Sequence, residues 1–155
     1  MDATDRKILA ILQADSSLPV AEIAARVNLS QTPCWRRIQR LEEAGVIQRR
    51  VALVDPDRIG LGLTVFVEIE TGDHSAEWLE RFAAAVEAMP EVMEVYRMAG
   101  DVDYLLRIAV ANMAAYDLFY RRLVALLPLK NVTSRFAMER VKFTTAYPLD
   151  EAEKG

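Results

Sequence analysis

Residues 19–45 read PVAEIAARVNLSQTPCWRRIQRLEEAG, and this stretch decides the fold of the first third of the chain. Pro19 suits the first turn of a helix, where its missing N–H would have no partner anyway. That helix is predicted to run to about Val27, with Ile23, Ala24 and Val27 inward. Asn28 can adopt the left-handed conformation that ends a helix. Leu29 tucks back toward the core, and Ser30 caps the next helix. Pro33 lies in its first turn, where backbone N–H groups lack intrahelical acceptors. This helix runs to Ala44 and stops at Gly45. Cys34, Ile38 and Leu41 fall at i, i+4 and i+7 and face inward, which leaves Arg36, Arg37 and Arg40 largely outward. Two helices joined by a tight turn, the second one basic, form a helix-turn-helix pattern.

Working outward, Asp5 to Ala14 carries Ile8, Leu9, Ile11 and Leu12 as a helical stripe, and Asp15-Ser16-Ser17 breaks it. Downstream, Val46 to Val54 reads as a strand with Arg49 and Arg50 near its start, able to serve as a wing. Asp55-Pro56-Asp57 ends it, and Gly60 and Gly62 follow. The expected organisation is a winged helix-turn-helix with a linking strand over 1–54, a hinge over 55–62 and a second domain over 63–155.

The second domain alternates differently. Leu63, Val65, Val67 and Ile69 alternate with Thr64, Phe66, Glu68 and Glu70, the pattern of a strand with one core face. Ala76 to Met89 is helical, with Leu79, Phe82, Val86 and Met89 on one side, and Pro90 ends it. Strands follow over Val92–Ala99 and Asp103–Val110, joined at Gly100-Asp101. Asn112 can cap a helix to Leu127 with Phe119, Leu123 and Leu126 inward, and Pro128 bars its continuation. A last strand spans Val132–Val141, with Val132, Phe136 and Met138 inward. The order β-α-β-β-α-β is a ferredoxin-like split arrangement, so the fold class is α+β. Helices on one face of an open sheet leave the other uncovered, with Phe66 and Leu105 pointing to it. A second copy of the chain is the simplest cover, which predicts a homodimer by sheet-to-sheet packing. The tail Asp150–Gly155 is charged and expected to fray.

Composition narrows the function. The chain has 155 residues, 52% of them hydrophobic, so wholesale disorder is excluded. One His and one Cys cannot build a zinc site, an iron–sulfur site or a disulfide within one chain. No run approaches a membrane span. The polar start MDATDRK does not read as a signal peptide, and a lone Cys suits the cytosol. The net charge of −4 hides a split: residues 1–50 hold eight Lys+Arg against six Asp+Glu, and residues 51–155 hold eleven against seventeen. A basic segment on an acidic body is what one expects when only one end meets a polyanion.

The stretches DRKILAILQAD, AEIAARVNLSQTPCWRRIQRLEEAGVIQ, VALVDPDRIGLGLTVFVEIE and MAGDVDYLLRIAV closely resemble the Lrp/AsnC (feast/famine) family, from about Asp5 to Pro148. Its two most specific motifs, LSQTPCWRRIQRLEEAGVI and GDVDYLL, lie in different domains at the family's spacing. Gln31 departs from the Pro, and Asn28 from the Gly, common in relatives. The combination TPCW…IGLGLT…FAMERVKFTT looks closer to the branch linked to cysteine detoxification. The resemblance implies a transcription regulator that binds double-stranded DNA, takes a small effector, usually an amino acid, and assembles from dimers to octamers or similar. It places the effector site between dimers.

In a major groove, Gln31, Thr32, Arg36 and Arg37 would meet base edges and nearby phosphates, because Arg can pair two acceptors on a guanine edge. Ser30 and Arg40 suit phosphate, and Arg49 and Arg50 the wing. The competing reading is a solvated basic face paired with Glu42 and Glu43. Trp35 flanks the inward stripe; packing against the first helix or a neighbouring subunit is favoured over stacking on DNA. Cys34 reads as a small core residue, with a redox switch as the alternative if its thiol pKa is lowered. For the effector, the turn Met98-Ala99-Gly100-Asp101-Val102-Asp103-Tyr104 is the candidate. N–H groups around a glycine can approach a carboxylate, and Asp101 or Asp103 can accept from an ammonium. An ordinary hairpin would use Gly-Asp equally well. Thr133 and Ser134 are weaker candidates. His74 reads as an exposed loop residue, and Glu68/Glu70 as a charged sheet edge or interface salt bridge. No nucleophile–base pair or metal cluster appears, so no enzyme, metal or cofactor is expected. The alternative function is an architectural protein that wraps DNA with little sequence preference.

Overall fold

The computed structural model describes residues 1–149, so the expectation for Asp150–Gly155 lies outside the described residues. The described residues divide into two compact units, Met1–Leu53 with residues 141–149, and Val54–Arg140. The last segment thus groups with the first domain, unlike the 63–155 domain expected from the sequence.

The first unit holds α1 (Ala3–Ala14), α2 (Val20–Arg26) and α3 (Gln31–Glu43). Ile8, Ile23, Ala24, Val27, Cys34 and Ile38 form its buried cluster, with Leu29 and Ile47 packed against it. The α2–α3 turn is a Schellman motif. Asn28 sits at φ 56°, its N–H bonds to the Ala25 carbonyl at 3.3 Å, and the Leu29 N–H bonds to the Ala24 carbonyl at 2.9 Å. Those two bonds satisfy carbonyls that the helix end would otherwise orphan. Gly45 (φ 70°) ends α3 the same way, with its N–H on the Glu42 carbonyl and the Val46 N–H on the Leu41 carbonyl.

Helix α1 begins two residues earlier than expected because Asp2 caps it. Asp2 Oδ1 accepts from the Asp5 N–H at 2.8 Å, and Asp5 Oδ2 accepts from the Asp2 N–H at 3.0 Å, a reciprocal capping box. Residues 46–54 form no strand. Alternation alone does not make a strand: the backbone groups need a ladder partner, and among the described residues this stretch has none. Val51, Leu53 and Val54 are accordingly exposed.

The second unit is β1 (Leu63–Glu70), α4 (Ala76–Glu87), β2 (Val92–Arg97), β3 (Tyr104–Val110), α5 (Met113–Leu126) and β4 (Asn131–Phe136). The sheet order is β2-β3-β1-β4, antiparallel throughout. Ser75 and Asn112 cap the two helices, accepting from the N–H groups of Trp78 and Ala115. The inward residues of β1 and β3 meet Trp78, Phe82, Val86, Phe119 and Leu123 in one core. Trp78, Phe82 and Tyr104 stack within it, with ring centroids 4.6–5.6 Å apart.

Three inward assignments shift by one position or fail. Trp78 is buried in place of Leu79, and Leu127 in place of Leu126, because neighbouring apolar residues compete for one helical stripe. Strand β2 ends at Arg97, and β4 ends at Phe136, short of Val141; beyond it Met138 is fully exposed.

Candidate nucleic-acid interface and effector turn

The basic helix α3 divides its arginines between two jobs. Arg37 turns toward the start of α1, where its Nη1 donates to Asp2 Oδ2 at 2.6 Å and Asp5 Oδ1 at 2.7 Å. Arg40 Nη2 adds a bond to Asp5 Oδ1 at 3.1 Å. The Asp5 side chain is only 3% exposed. Burial works against its charge, but the hydrogen bond from the Asp2 N–H and the Arg37 guanidinium outweigh it and hold its pKa below the usual carboxylate range. Arg37 likewise brings Asp2 down to about 2. Arg37 is therefore a staple between α3 and α1 rather than a freely outward residue as expected.

The polar residues near the start of the helix face water. Ser30, Gln31, Thr32 and Arg36 are exposed, and Arg36 has no ion-pair partner among the described residues. The Ser30 hydroxyl makes no capping bond although the residue stands at the N-cap. Arg50 pairs with Glu42 at 3.0 Å, and Gln39 also bonds Glu42; Arg49 is exposed. The pairing of the basic face with Glu42 thus exists, but it engages Arg50 and leaves Arg36 out. Trp35 stays out of the unit's buried cluster. It is 51% exposed and lines an open groove of about 390 Å³ with Val20, Gln31 and Thr32. Cys34 is fully buried; burial pushes its thiol pKa up, against the pull of Arg37, so the redox reading loses its physical basis.

In the second unit, the turn after β2 is closed by Met98 N–H on the Asp103 carbonyl at 2.8 Å and Asp103 N–H on the Ile69 carbonyl at 3.0 Å. Gly100 stands at φ 121°, a conformation that side-chain-bearing residues rarely adopt. Asp103 Oδ2 accepts from the Thr71 N–H at 2.8 Å, and its Oδ1 lies 3.8 Å from His74 Nδ1. Asp103 is thus partly consumed in holding the turn. Asp101 is exposed and stands free of ion pairs among the described residues. Ala99 is exposed, Met98 is 41% exposed, and Tyr104 is buried in the core.

The fold does not bring Thr133 and Ser134 to this turn within one chain. They lie on β4, on the far side of β1 from the β2–β3 turn. They also face opposite ways: Thr133 pairs with Glu68 on the open face, and Ser134 with inward Val67, where its hydroxyl bonds the Tyr116 hydroxyl. A concave site that sequence reasoning missed lies nearer β4, about 400 Å³ lined by residues such as Tyr120, Leu127, Lys130 and Asn131. Only Pro128, which ends α5 and opens that loop, hints at it in sequence.

The open sheet face presents Phe66, Leu105 and Tyr96 between two ion pairs, Arg107–Glu94 at 2.6 Å and a bidentate Arg135–Glu68. The Arg135 guanidinium lowers the Glu68 pKa, and Asn131 and Lys130 lower that of Glu70. Neither carboxyl is poised as a general acid near neutrality. Among the described residues there is no cluster fit to hold a metal ion and no helix long and apolar enough to cross a membrane.

Comparison with known proteins agrees with both halves. Residues 1–48 match a winged helix-turn-helix DNA-binding family, and residues 64–147 match the Lrp/AsnC ligand binding domain. The chain is 53% identical over 151 residues to the DNA-binding transcriptional activator DecR of Escherichia coli K12, covering 97% of this chain and 99% of that protein. An AsnC family transcriptional regulator from Agrobacterium tumefaciens, known as a crystal structure, superposes with a TM-score of 0.94 at 59% identity, over 97% of this chain and 98% of that one. The transcriptional regulator NMB0573 of Neisseria meningitidis, solved as a complex with L-Met, gives a TM-score of 0.93 at 35% identity, over 98% and 99% of the two chains. A winged helix-turn-helix joined to an α+β ligand-binding domain, matched over nearly its whole length, places this chain in the Lrp/AsnC family of sequence-specific DNA-binding transcriptional regulators, which are not enzymes.

Proposed function

We propose that this regulator reads its operator through Gln31, Thr32 and Arg36 of α3, with Ser30, Arg40, Arg49 and Arg50 serving phosphates. A free amino acid binding at the turn Met98–Tyr104 tunes that binding. The observation that carries the reading is the division of labour on α3: Arg37 is held by two aspartates, while Arg36 one residue earlier stands exposed and has no ion pair among the described residues. A guanidinium without an internal partner can give its donors to guanine O6 and N7 or to phosphate without first breaking an ion pair.

At the turn, backbone N–H groups near Gly100 suit the effector carboxylate and Asp101 its ammonium. Thr133 and Ser134 would join the site only through another subunit. The apolar residues and ion pairs of the open sheet face support pairing with a second copy, and dimers would then assemble further, with the effector shifting that assembly. Residues 1–54 act as the reading domain, 55–62 as the hinge, and the sheet domain as the sensor. A DNA-binding regulator of this kind works in the cytosol. The stretches TPCW, IGLGLT and FAMERVKFTT support the cysteine-detoxification branch, so cysteine heads the candidate effectors, and L-Met follows from the Neisseria relative.

A thermal-shift screen of the twenty amino acids tests the sensor, because a ligand that binds only the folded state must raise the melting temperature. One or a few amino acids should raise it, and Gly100→Val should abolish the rise while sparing the oligomer. A Gly100→Val protein with a normal shift would remove this turn from the site.

A further inference from the structure

We infer that Trp35, with the Thr32 methyl group, forms an apolar shelf on the DNA-facing flank of α3 that receives the C5-methyl group of a thymine. The inference rests on the reading that α3 enters the major groove, and it names what the helix recognises there. Trp35 lies next to the buried Cys34 yet is 51% exposed. A tryptophan side chain carries a large apolar surface that folding ordinarily removes from water. Gln31 and Thr32 precede it by four and three residues, so all three lie on neighbouring turns of one flank, and together with Val20 of α2 they line one groove.

The chemistry of that groove is specific. It has no charged lining residue, so phosphate is a poor occupant. It combines one amide side chain with apolar surface. An A·T pair presents adenine N6 and N7 in the major groove, which an amide can bond at once, and beside them the thymine methyl, which only apolar contact can read. Gln31 and the Trp35–Thr32 shelf therefore address two features of a single base pair. A second copy of the chain is a weaker occupant, because polar Gln31 lines the groove and Arg36, without an ion pair among the described residues, follows Trp35 on the same exposed helix.

The test uses the full-length protein. The wild type first selects a preferred duplex from a random library. Each thymine of that duplex is then replaced by deoxyuridine, which removes only the methyl group, and affinities are read by fluorescence anisotropy. At least one replacement should weaken wild-type binding about fourfold, the change that burial of one methyl-sized group supplies. Trp35→Ala should bind the thymine duplex correspondingly less well and be indifferent to that replacement, whereas Trp35→Phe should keep part of the sensitivity. Circular dichroism and sedimentation should show both variants folded, with the wild-type oligomer. Uracil-indifferent wild-type binding, an equal loss in Trp35→Ala, or a changed oligomer would each overturn the assignment while leaving operator reading intact. Failure of the wild type to enrich any sequence would overturn both.

Discussion

The two units of this chain are held together in different ways. The sheet unit rests on one large core in which β1 and β3 meet both helices and an aromatic stack. The helical unit has a much smaller cluster, centred on Ile8, Ile23 and Ile38. It adds a polar clamp in which Asp2 and Asp5 cap α1 and bind Arg37 of α3. A small unit buries little apolar surface and is held only marginally by its core. The lesson is that charge on the basic helix is not all available to DNA: some of it holds the reading head in shape.

The largest effect that probes this contrast is Phe119→Ala. Phe119 is fully buried in the sheet unit, and removing such a ring costs about 3–5 kcal/mol. Hydrogen exchange should show protection falling in β1, β3 and α5 while the amides of α1–α3 keep theirs. Equal loss in both units would mean that they unfold as one, and the contrast would collapse.

Asp5→Ala strikes the clamp. It deletes a buried carboxylate that accepts from the Asp2 N–H, Arg37 and Arg40. Losing one partner of a fully buried pair costs about 3–5 kcal/mol; here Arg37 keeps some access to water, so about 2 kcal/mol is expected. Protection should fall in α1 and α3 and stay unchanged in the sheet. If stability were unaffected, the small core would be sufficient by itself.

Arg36→Ala separates reading from holding. A guanidinium that pairs with a base is worth roughly 1–3 kcal/mol, so affinity for a selected duplex should fall about fivefold or more with the melting temperature unchanged. Arg37→Ala should instead lower the melting temperature of the helical unit. Reversed results would mean that Arg37 leaves its aspartates when DNA binds.

How much of this was legible in the sequence follows from the range of each interaction. The α2–α3 turn and the end of α3 were, because Asn28 and Gly45 act on backbone groups within a few residues, although Ser30 stands at the N-cap without the capping bond expected of it. The βαββαβ order was, because strand and helix periods differ. The clamp was not: Arg37 and Asp5 are far apart in sequence, and nothing local distinguishes Arg37 from Arg36. The stretch 46–54 has the alternation of a strand, but its ladder depends on a partner that local pattern cannot supply. At the effector turn, Gly100 was legible through its backbone freedom. The engagement of Asp103 by Thr71 was not, since it joins two segments that meet only in the folded sheet.

The smallest expected effect is the most selective probe of the clamp. Asp2 is held at about pKa 2, first by its hydrogen bond from Arg37 and then by the Asp5 N–H, and Asp5 is lowered as well. Unfolded aspartates titrate near 3.9. A carboxylate whose pKa is depressed on folding stabilises the protein above its unfolded value, and that contribution disappears as pH falls through the folded one. Protection of α1 and α3 should therefore weaken between about pH 4 and pH 2. The sheet unit has lowered carboxyls of its own, Glu68 and Glu94 among them, each held by an arginine, so acid weakens it too and pH alone does not separate the units. Asp2→Asn does. An amide still accepts from the Asp5 N–H but cannot titrate, so the acid-dependent loss should shrink in the helical unit and remain whole in the sheet. If the variant leaves the acid profile of α1 and α3 unchanged, Asp5 alone carries the clamp and Asp2 serves only as the cap.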